Sequence, residues 1–336
     1  MAIPSQKNVL VTGGAGFIGS HLCEKLLSDG ARVICIDNFS TSHEQNINSL
    51  LQNPNFQFLR LDINEPINLE AFPELEAFQV KFQGIQEVYH LACPTSVKKF
   101  DQFRMQTLLA NSVGMRNVLD LAARYRARVL FTSSSVVYGG RTKDQKAFTE
   151  EMEGILDHLS PRACYDEGKR FAESMCMTYA QVQSLEVKIA RIFRTYGPRM
   201  PIFDGQMIPD FVLNAIDGKP LVINGDDTFR TSLCYVTDVV NALIRLMGSS
   251  KEVIVANIGS DVDVKIVDVA QQIIQVVGSA STVIFEPKLL FLTELGLPNI
   301  TRAREQLGWL PLVRLEDGLK KTIEYVKANK ILLTTL

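Results

Sequence analysis

The stretch CYDEGKR carries a phenol, Tyr165, and an ammonium, Lys169, four residues apart. Residues at i and i+4 on a helix are neighbours, so the two side chains would share one helix face. A free phenol titrates near about 10 and is a poor base at neutral pH. A nearby positive charge favours its ionised form and makes it a usable acid/base. Alone, most such pairs are ordinary surface contacts, and the meaning of this one depends on what else the chain carries. A second stretch, TGGAGFIGSHL (12–22), holds Gly14-x-Gly16-x-x-Gly19 and the overlapping Gly13-x-x-Gly16-x-x-Gly19. Glycines at this spacing permit a tight turn, close approach of a pyrophosphate and close helix–strand packing. The helix that follows offers free N–H groups and the positive end of its dipole to phosphate. Gly13, Gly16, Phe17, Ile18 and Gly19 are therefore candidate cofactor contacts.

Asp37 lies 18 residues after Gly19, at the end of the next apolar run. A carboxylate there can accept hydrogen bonds from the adenosine ribose hydroxyls and repels a 2′-phosphate, so NAD is expected rather than NADP. Asn38 follows it. Asp62 and Ile63 close a third run, where an acidic side chain would face adenine. Leu91 and Ala92, in HLACP (90–94), close a fourth beside the middle of the cofactor. Both stretches read equally well as ordinary strand ends.

These residues need elements to hold them. NVLVT (8–12), RVICID (32–37), FQFLRLD (56–62), EVYHLA (87–92), RVLFTSS (128–134), VKIARIF (187–193) and VIVANIG (253–259) read as strands. Helical spacing appears at 21–30, 101–125, 166–183, 236–247, 264–278 and 315–328, and PINLEAFPELEAFQVKFQG (66–84) reads as a helix plus loop. Alternating apolar strands and helices predict a parallel sheet covered on both faces. The fold class expected is α/β, a Rossmann-type doubly wound parallel sheet with a smaller, mostly C-terminal α/β substrate-binding region. The texture changes after residue 197, where YGPRMPIFDG is rich in Pro and Gly and KPLVINGDD (219–227) reads as a strand and turn. The expected division is a cofactor domain over 1–197, also receiving about 233–260, and a substrate region over 198–232 and 261–330.

Composition narrows the function classes. The chain has 336 residues, 46% of them apolar, and a net charge of −2, with a pI near 6.1. No long basic run suggests a nucleic-acid partner. No apolar stretch approaches a membrane span, and the N-terminus enters a strand with no apolar signal segment. The six cysteines form no C-x-x-C pair, and no His or Cys spacing suggests zinc or another metal. They read as reduced thiols in a cytoplasmic protein.

Taken in order, the glycine turn, Asp37, the serine run TSSSVVYG (132–139) and Tyr165/Lys169 resemble the extended short-chain dehydrogenase/reductases. TGGAGFIGSHL, DNFST, YHLACP, CYDEGKR, RIFRTYGPRM and NITRAREQLGWLPLVRLEDGL are similar to the nucleotide-sugar epimerases, dehydratases and decarboxylases, the UDP-glucuronate decarboxylase group in particular. The resemblance implies that Tyr165 takes the proton from a sugar hydroxyl as hydride leaves for NAD. It implies that Lys169 also holds the nicotinamide ribose, and that Ser134 hydrogen-bonds the reacting oxygen; Ser134 also reads as a strand-end serine making a turn contact. Substrate contacts implied are Ser135, Arg194, Arg199, Arg230 and Thr231. A homodimer joined through the helices at 101–125 and 166–183, as a four-helix interface, is implied as well.

Three positions depart from that group. Val136 stands where it usually carries glutamate, so a side chain able to move a proton is missing. GDDTFRTSL (225–233) puts Thr231 at the usual arginine position and Arg230 one place early, which on a strand sends the side chain to the opposite face. Arg194 stands where an asparagine usually meets the substrate, and arginine matches carboxylate or phosphate oxygens. The expected activity is NAD-dependent oxidation at C4 of a UDP-linked hexuronate or hexose with internal return of the hydride, and either decarboxylation or 4-epimerisation as the outcome. A simple nucleotide-sugar dehydrogenase and a non-catalytic NAD-bound scaffold are the rival readings.

Overall fold

The computed structural model describes residues 6–96, 99–142, 145, 147–202, 204–250, 252, 254–287 and 295–334. Strand β1 (Asn8–Thr12) turns through the glycines into helix α1 (Phe17–Ser28), followed by β2 (Arg32–Asp37) and β3 (Phe56–Arg60). A short helix α2 (Val80–Gln83) precedes β4 (Glu87–His90). Helices α3 (Arg104–Leu109) and α4 (Met115–Tyr125) lead to β5 (Arg128–Ser134) and the two-residue β6 (Ala147–Phe148). The long α5 (Ala163–Gln183) carries CYDEGKR at its start and delivers β7 (Val187–Ile192).

The remaining elements follow β7. They are β8 (Thr195–Tyr196), α6 (Met207–Ile216), β9 (Leu221–Asn224), β10 (Arg230–Thr231) and β11 (Cys234–Tyr235). Then come α7 (Val236–Met247), β12 (Val255–Ile258), β13 (Val264–Lys265) and α8 (Ile266–Val277). The chain continues through β14 (Val283–Glu286), β15 (Leu297–Pro298), α9 (Thr301–Leu307) and α10 (Leu315–Thr334).

Seven strands form one parallel sheet in the order β3-β2-β1-β4-β5-β7-β12, the doubly wound Rossmann arrangement. Its strands are buried on both faces, which accounts for their near-continuous apolar letters. Along β1, Val9 and Val11 face one core with Leu22, Leu26, Val239 and Leu243. Leu10, between them, faces the other with Met115, Val118, Leu119 and Ala172. The register pairs Thr12 with Ile36 and with His90, His90 with Phe131, and Ser134 with Ile192. Strands β1 and β4 thus end level with each other, as do β5 and β7, which run three residues further, from Phe131 to Ser134. The order reverses between β1 and β4, and ligands of such sheets bind outside that point.

Several element boundaries differ from expectation for local reasons. The 66–84 stretch forms 3₁₀ turns at Leu69–Ala71 and Pro73–Phe78 before α2. Pro73 has no N–H to offer a preceding turn, and Gln79 is left-handed at φ 50°, so no continuous helix forms. The 101–125 helix is interrupted by a π turn over Ala110–Gly114, a bulge type frequent at functional sites. Helix α1 starts at Phe17, inside the glycine stretch, and Val264–Lys265 pair with β10 before α8 begins. The first residue of the expected strand 253–259 lies outside the described residues, and its remainder supplies β12. Among the described residues no helix is long and apolar enough to cross a membrane.

Candidate active site

A cavity of about 1200 Å³ opens at the carboxyl ends of the sheet and runs toward α6, β9 and β14. One wall is the glycine turn. A Cβ on Gly13 would lie 2.7 Å from the Ala92 backbone nitrogen, and one on Gly19 would lie 2.1 Å from the Gly13 carbonyl oxygen. Neither position can carry a side chain without moving backbone, so the turn packs as closely as a pyrophosphate cradle requires. Gly16 caps α1 with no side-chain hydrogen bond, and the first turn of α1 holds no acidic residue. The free N–H groups and dipole of that helix end are therefore available to an anion. Gly13, Gly16, Phe17, Ile18 and Gly19 all line the cavity.

Asp37 is buried at the end of β2. One of its oxygens accepts from the Ala15 backbone N–H at 3.0 Å; the other accepts from Phe39 N–H at 2.9 Å and Ser42 Oγ at 2.6 Å. The carboxylate thus stiffens the glycine turn. A carboxylate has about four acceptor sites, so capacity remains for a ribose hydroxyl. Asn38 donates to Asp62 at 3.1 Å and accepts from Ser40 N–H and Ser40 Oγ. Asp37, Asn38, Asp62, Ile63, Leu91 and Ala92 line the same stretch of cavity. This donor and acceptor set fits an adenine dinucleotide, with phosphates at α1 and the adenosine ribose at Asp37.

The reacting end lies between β5 and α5. Lys169 is 4% exposed. Its Nζ donates to the Thr132 carbonyl at 3.0 Å and sits 4.7 Å from the centre of the Phe131 ring. Burial pulls its pKa below the ordinary lysine value, because the charged form loses water. Tyr165 lies one turn earlier, with its ring centre 5.8 Å from Lys169 Nζ. Burial pushes its phenol up, and the Cys93 thiol adds to that; a Ser134 hydrogen bond and Arg162 pull the other way. Ser134 Oγ accepts from the Val136 N–H at 3.4 Å, and its side chain meets the Tyr165 phenol. Gly168 lets α5 approach the π turn, where a Cβ would meet Asn111 at 3.2 Å. Asn111 in turn donates to Cys93 Sγ at 3.3 Å and to the Thr107 carbonyl at 2.8 Å.

Not every expected substrate contact reaches this space. Ser135 and Arg194 line the cavity; Arg199, Arg230 and Thr231 do not. Arg199 donates to Glu24 at 2.7 Å on the outside of α1. Arg230 is held by Asp263, with Nε donating to the carboxylate at 2.7 Å and Nη2 to the carbonyl at 3.0 Å. The β10–β13 pairing places Arg230 opposite Lys265. Thr231 is buried with its hydroxyl donating to the Ser232 carbonyl at 3.4 Å.

Sequence reasoning missed Arg162, Asn111, Cys93 and the Thr132 carbonyl. Arg162 sits two residues before CYDEGKR and could have been found there. Asn111 backs Cys93 from a π turn that no letter announces. His90, in YHLACP, is buried against Thr12 Oγ1 at 2.7 Å, and burial drops its pKa to about 3, so it stays neutral and serves the core.

The geometry around Asp37 makes a direct expectation. Calorimetric titration of the stripped protein should give an NAD affinity at least about tenfold above that for NADP, because the added phosphate would face a buried carboxylate. Equal or tighter NADP binding would contradict this placement of the adenosine ribose.

Comparison with known proteins agrees with this geometry. A family model described as the NAD dependent epimerase/dehydratase family matches residues 9–259. A UDP-glucuronic acid decarboxylase 1 of Xenopus tropicalis is 39% identical over 322 residues, covering 96% of this chain and 72% of the relative. Among solved structures, an epimerase from Methanothermobacter thermautotrophicus superposes with a TM-score of 0.85 at 28% identity, covering 98% of this chain and 95% of the other. A UDP-glucuronic acid 4-epimerase from Bacillus cereus, solved with UDP-glucuronic acid and NAD, gives a TM-score of 0.82 at 28% identity, covering 96% and 99%. With the family model spanning the glycine turn, Ser134, Tyr165 and Lys169 alike, the chain belongs to the NAD dependent epimerase/dehydratase family.

Proposed function

We propose that the protein oxidises C4 of a UDP-linked hexuronate or hexose, returns the hydride to the same carbon, and releases the 4-epimer. The observation that carries the C4 chemistry is the convergence of Ser134, Tyr165 and Lys169 on one cavity wall. Tyr165, ionised, takes the proton of the 4-hydroxyl as the C4–H bond breaks. Ser134 donates to the same oxygen and steadies the charge that develops there. Lys169, fixed by the Thr132 carbonyl, favours the phenolate and reaches toward the nicotinamide ribose. Bound NAD would accept the hydride from C4, bring a positive charge beside the phenol, and give the hydride back. Arg194 holds the anionic part of the substrate. Tyr165 then returns its proton to the new alcohol, and no net redox change remains.

The outcome rests on Val136. It is 6% exposed and lines the cavity directly after the serines. A valine moves no proton, and a neutral wall lets a 4-keto sugar turn over and take hydride on its other face. A second reading is decarboxylation, favoured by the curated UDP-glucuronic acid decarboxylases at 38–39% identity over 95–96% of this chain. Once C4 is a ketone, a C6 carboxylate belongs to a β-keto acid, which can lose carbon dioxide without an added acid. The same reading assigns cofactor binding to 1–197 with 233–260, substrate binding to 198–232 and 261–330, and a cytoplasmic location, which the six free cysteines suit.

Incubation of the NAD-loaded protein with UDP-glucuronate and UDP-glucose, followed by chromatography and product mass, tests the reaction. An isomer of unchanged mass is expected. Loss of carbon dioxide would replace the first reading by the second, and a released keto sugar with stoichiometric NADH, or no conversion, would overturn both. Tyr165→Phe should keep its NAD content while turnover falls by roughly a hundredfold or more.

The assembly belongs to the same proposal. Met105 and Leu108 on α3 are 62% and 45% exposed, and Phe171 on α5 is 54% exposed. Helices α3 and α5 pack against each other, so these apolar groups lie on neighbouring helices, as a four-helix homodimer interface requires. Light scattering should return twice the chain mass of 37.5 kDa; a concentration-independent monomer would contradict the dimer.

A further inference from the structure

Two guanidinium groups approach the cavity beside Tyr165 from different elements. Arg194 follows β7, and Arg162 stands at the N-terminal boundary of α5; both line the cavity. The Arg162 guanidinium carbon lies 5.9 Å from the centre of the Tyr165 ring and 5.8 Å from that of Phe100. Asp166, one helical turn on, accepts from it at 3.1 and 3.4 Å. Arg194 has no comparable acid: among the described residues no carboxylate pairs with it, and its Nε is buried with no hydrogen-bond partner. Burial and the like charge of Arg162 pull its pKa down to about 10. A buried donor left bare costs free energy, and two like charges facing each other add to the cost. An incoming anion removes both costs. Val136, on the neighbouring wall, brings no competing carboxylate.

The geometry points to an anion subsite shared by Arg162 and Arg194 that receives the C6 carboxylate of the sugar and selects hexuronates over neutral hexoses. This rests on the C4 oxidation proposed above. With the C4 oxygen at Tyr165 and Ser134, C6 is only two bonds from C4, so its carboxylate comes within reach of the guanidiniums that line the cavity beside the phenol. Forked arginine contacts match a carboxylate's two oxygens. The same grip bears on the outcome. Loss of carbon dioxide breaks the C5–C6 bond and sends its electron pair toward the C4 oxygen, draining charge from the carboxylate. Guanidiniums that hold the carboxylate stabilise the state before this step more than its transition state, which slows it. The subsite therefore keeps the acid on the sugar until the ketone turns over.

The phosphates of the substrate offer the same chemistry as its carboxylate, and UDP-glucose separates the two, since it has the diphosphate without the acid. Calorimetric titration of the NAD-loaded Tyr165→Phe protein, which cannot turn substrate over, reads binding alone. UDP-glucuronate should bind roughly tenfold to a hundredfold tighter than UDP-glucose, the range for hydrogen bonds to a charged group. Arg194→Asn should bring that ratio toward one. So should Arg162→Met combined with Asp166→Asn, a pairing that leaves no unpartnered acid and guards against simple misfolding. Equal affinity for the two sugars, or a ratio unmoved by both variants, overturns the subsite. Failure of both sugars to bind overturns the proposed function and the subsite with it.

Discussion

A buried ammonium on α5 has to find an oxygen, and much of the site follows from where it does so. Lys169 Nζ meets the Thr132 carbonyl at 3.0 Å and the face of Phe131 at 4.7 Å. Burying a charge is costly unless it is paired, so this contact holds the start of α5 against the end of β5. It sets Tyr165, one turn earlier, opposite Ser134, the last residue of the same strand. Gly168 lets α5 lie close to the π turn, where a Cβ would meet the Asn111 side chain at 3.2 Å. The reacting groups are thus placed by the packing of a helix on a strand, and their precision is that of secondary structure rather than of a loop.

The cofactor end is governed by a second constraint, the closeness of the glycine turn to β4. Gly13 approaches Ala92, and Gly19 approaches Gly13, at distances that admit no side chain. Asp37 ties the turn to the end of β2. The carboxyl ends of β1, β4 and β5 then bring the glycine turn and the Ser134–Tyr165 pair to the wall of one cavity. A nicotinamide held by the glycine turn would reach a sugar at Tyr165 because both ends are referred to the same sheet.

Most of the sheet was legible because its strands are apolar throughout and end at small or acidic residues; β1, β2 and β5 keep their expected bounds. What was illegible depends on the backbone. The Thr132 carbonyl has no letter of its own. The π turn that aims Asn111 sits inside an unbroken helical pattern, and the 66–84 stretch carries helical spacing that Pro73 and the left-handed Gln79 prevent from closing into one helix. Substrate arginines were the least legible group. Arg199 and Arg230 stand in motifs that suggest ligand contact, yet each finds a nearer acid, Glu24 or Asp263. Arg194, a departure from the resemblance, is the one left facing the cavity.

The central claim is that hydride leaves C4 and comes back to C4 without escaping the site. UDP-glucuronate carrying deuterium at C4 tests this directly, with NAD added in excess to the NAD-loaded protein. The account predicts that the product, isolated and read by mass and proton resonance, keeps its deuterium at C4 and that none appears in free NADH. Deuterium released into the added cofactor, with a product that has lost it, would contradict the account and identify a dehydrogenase.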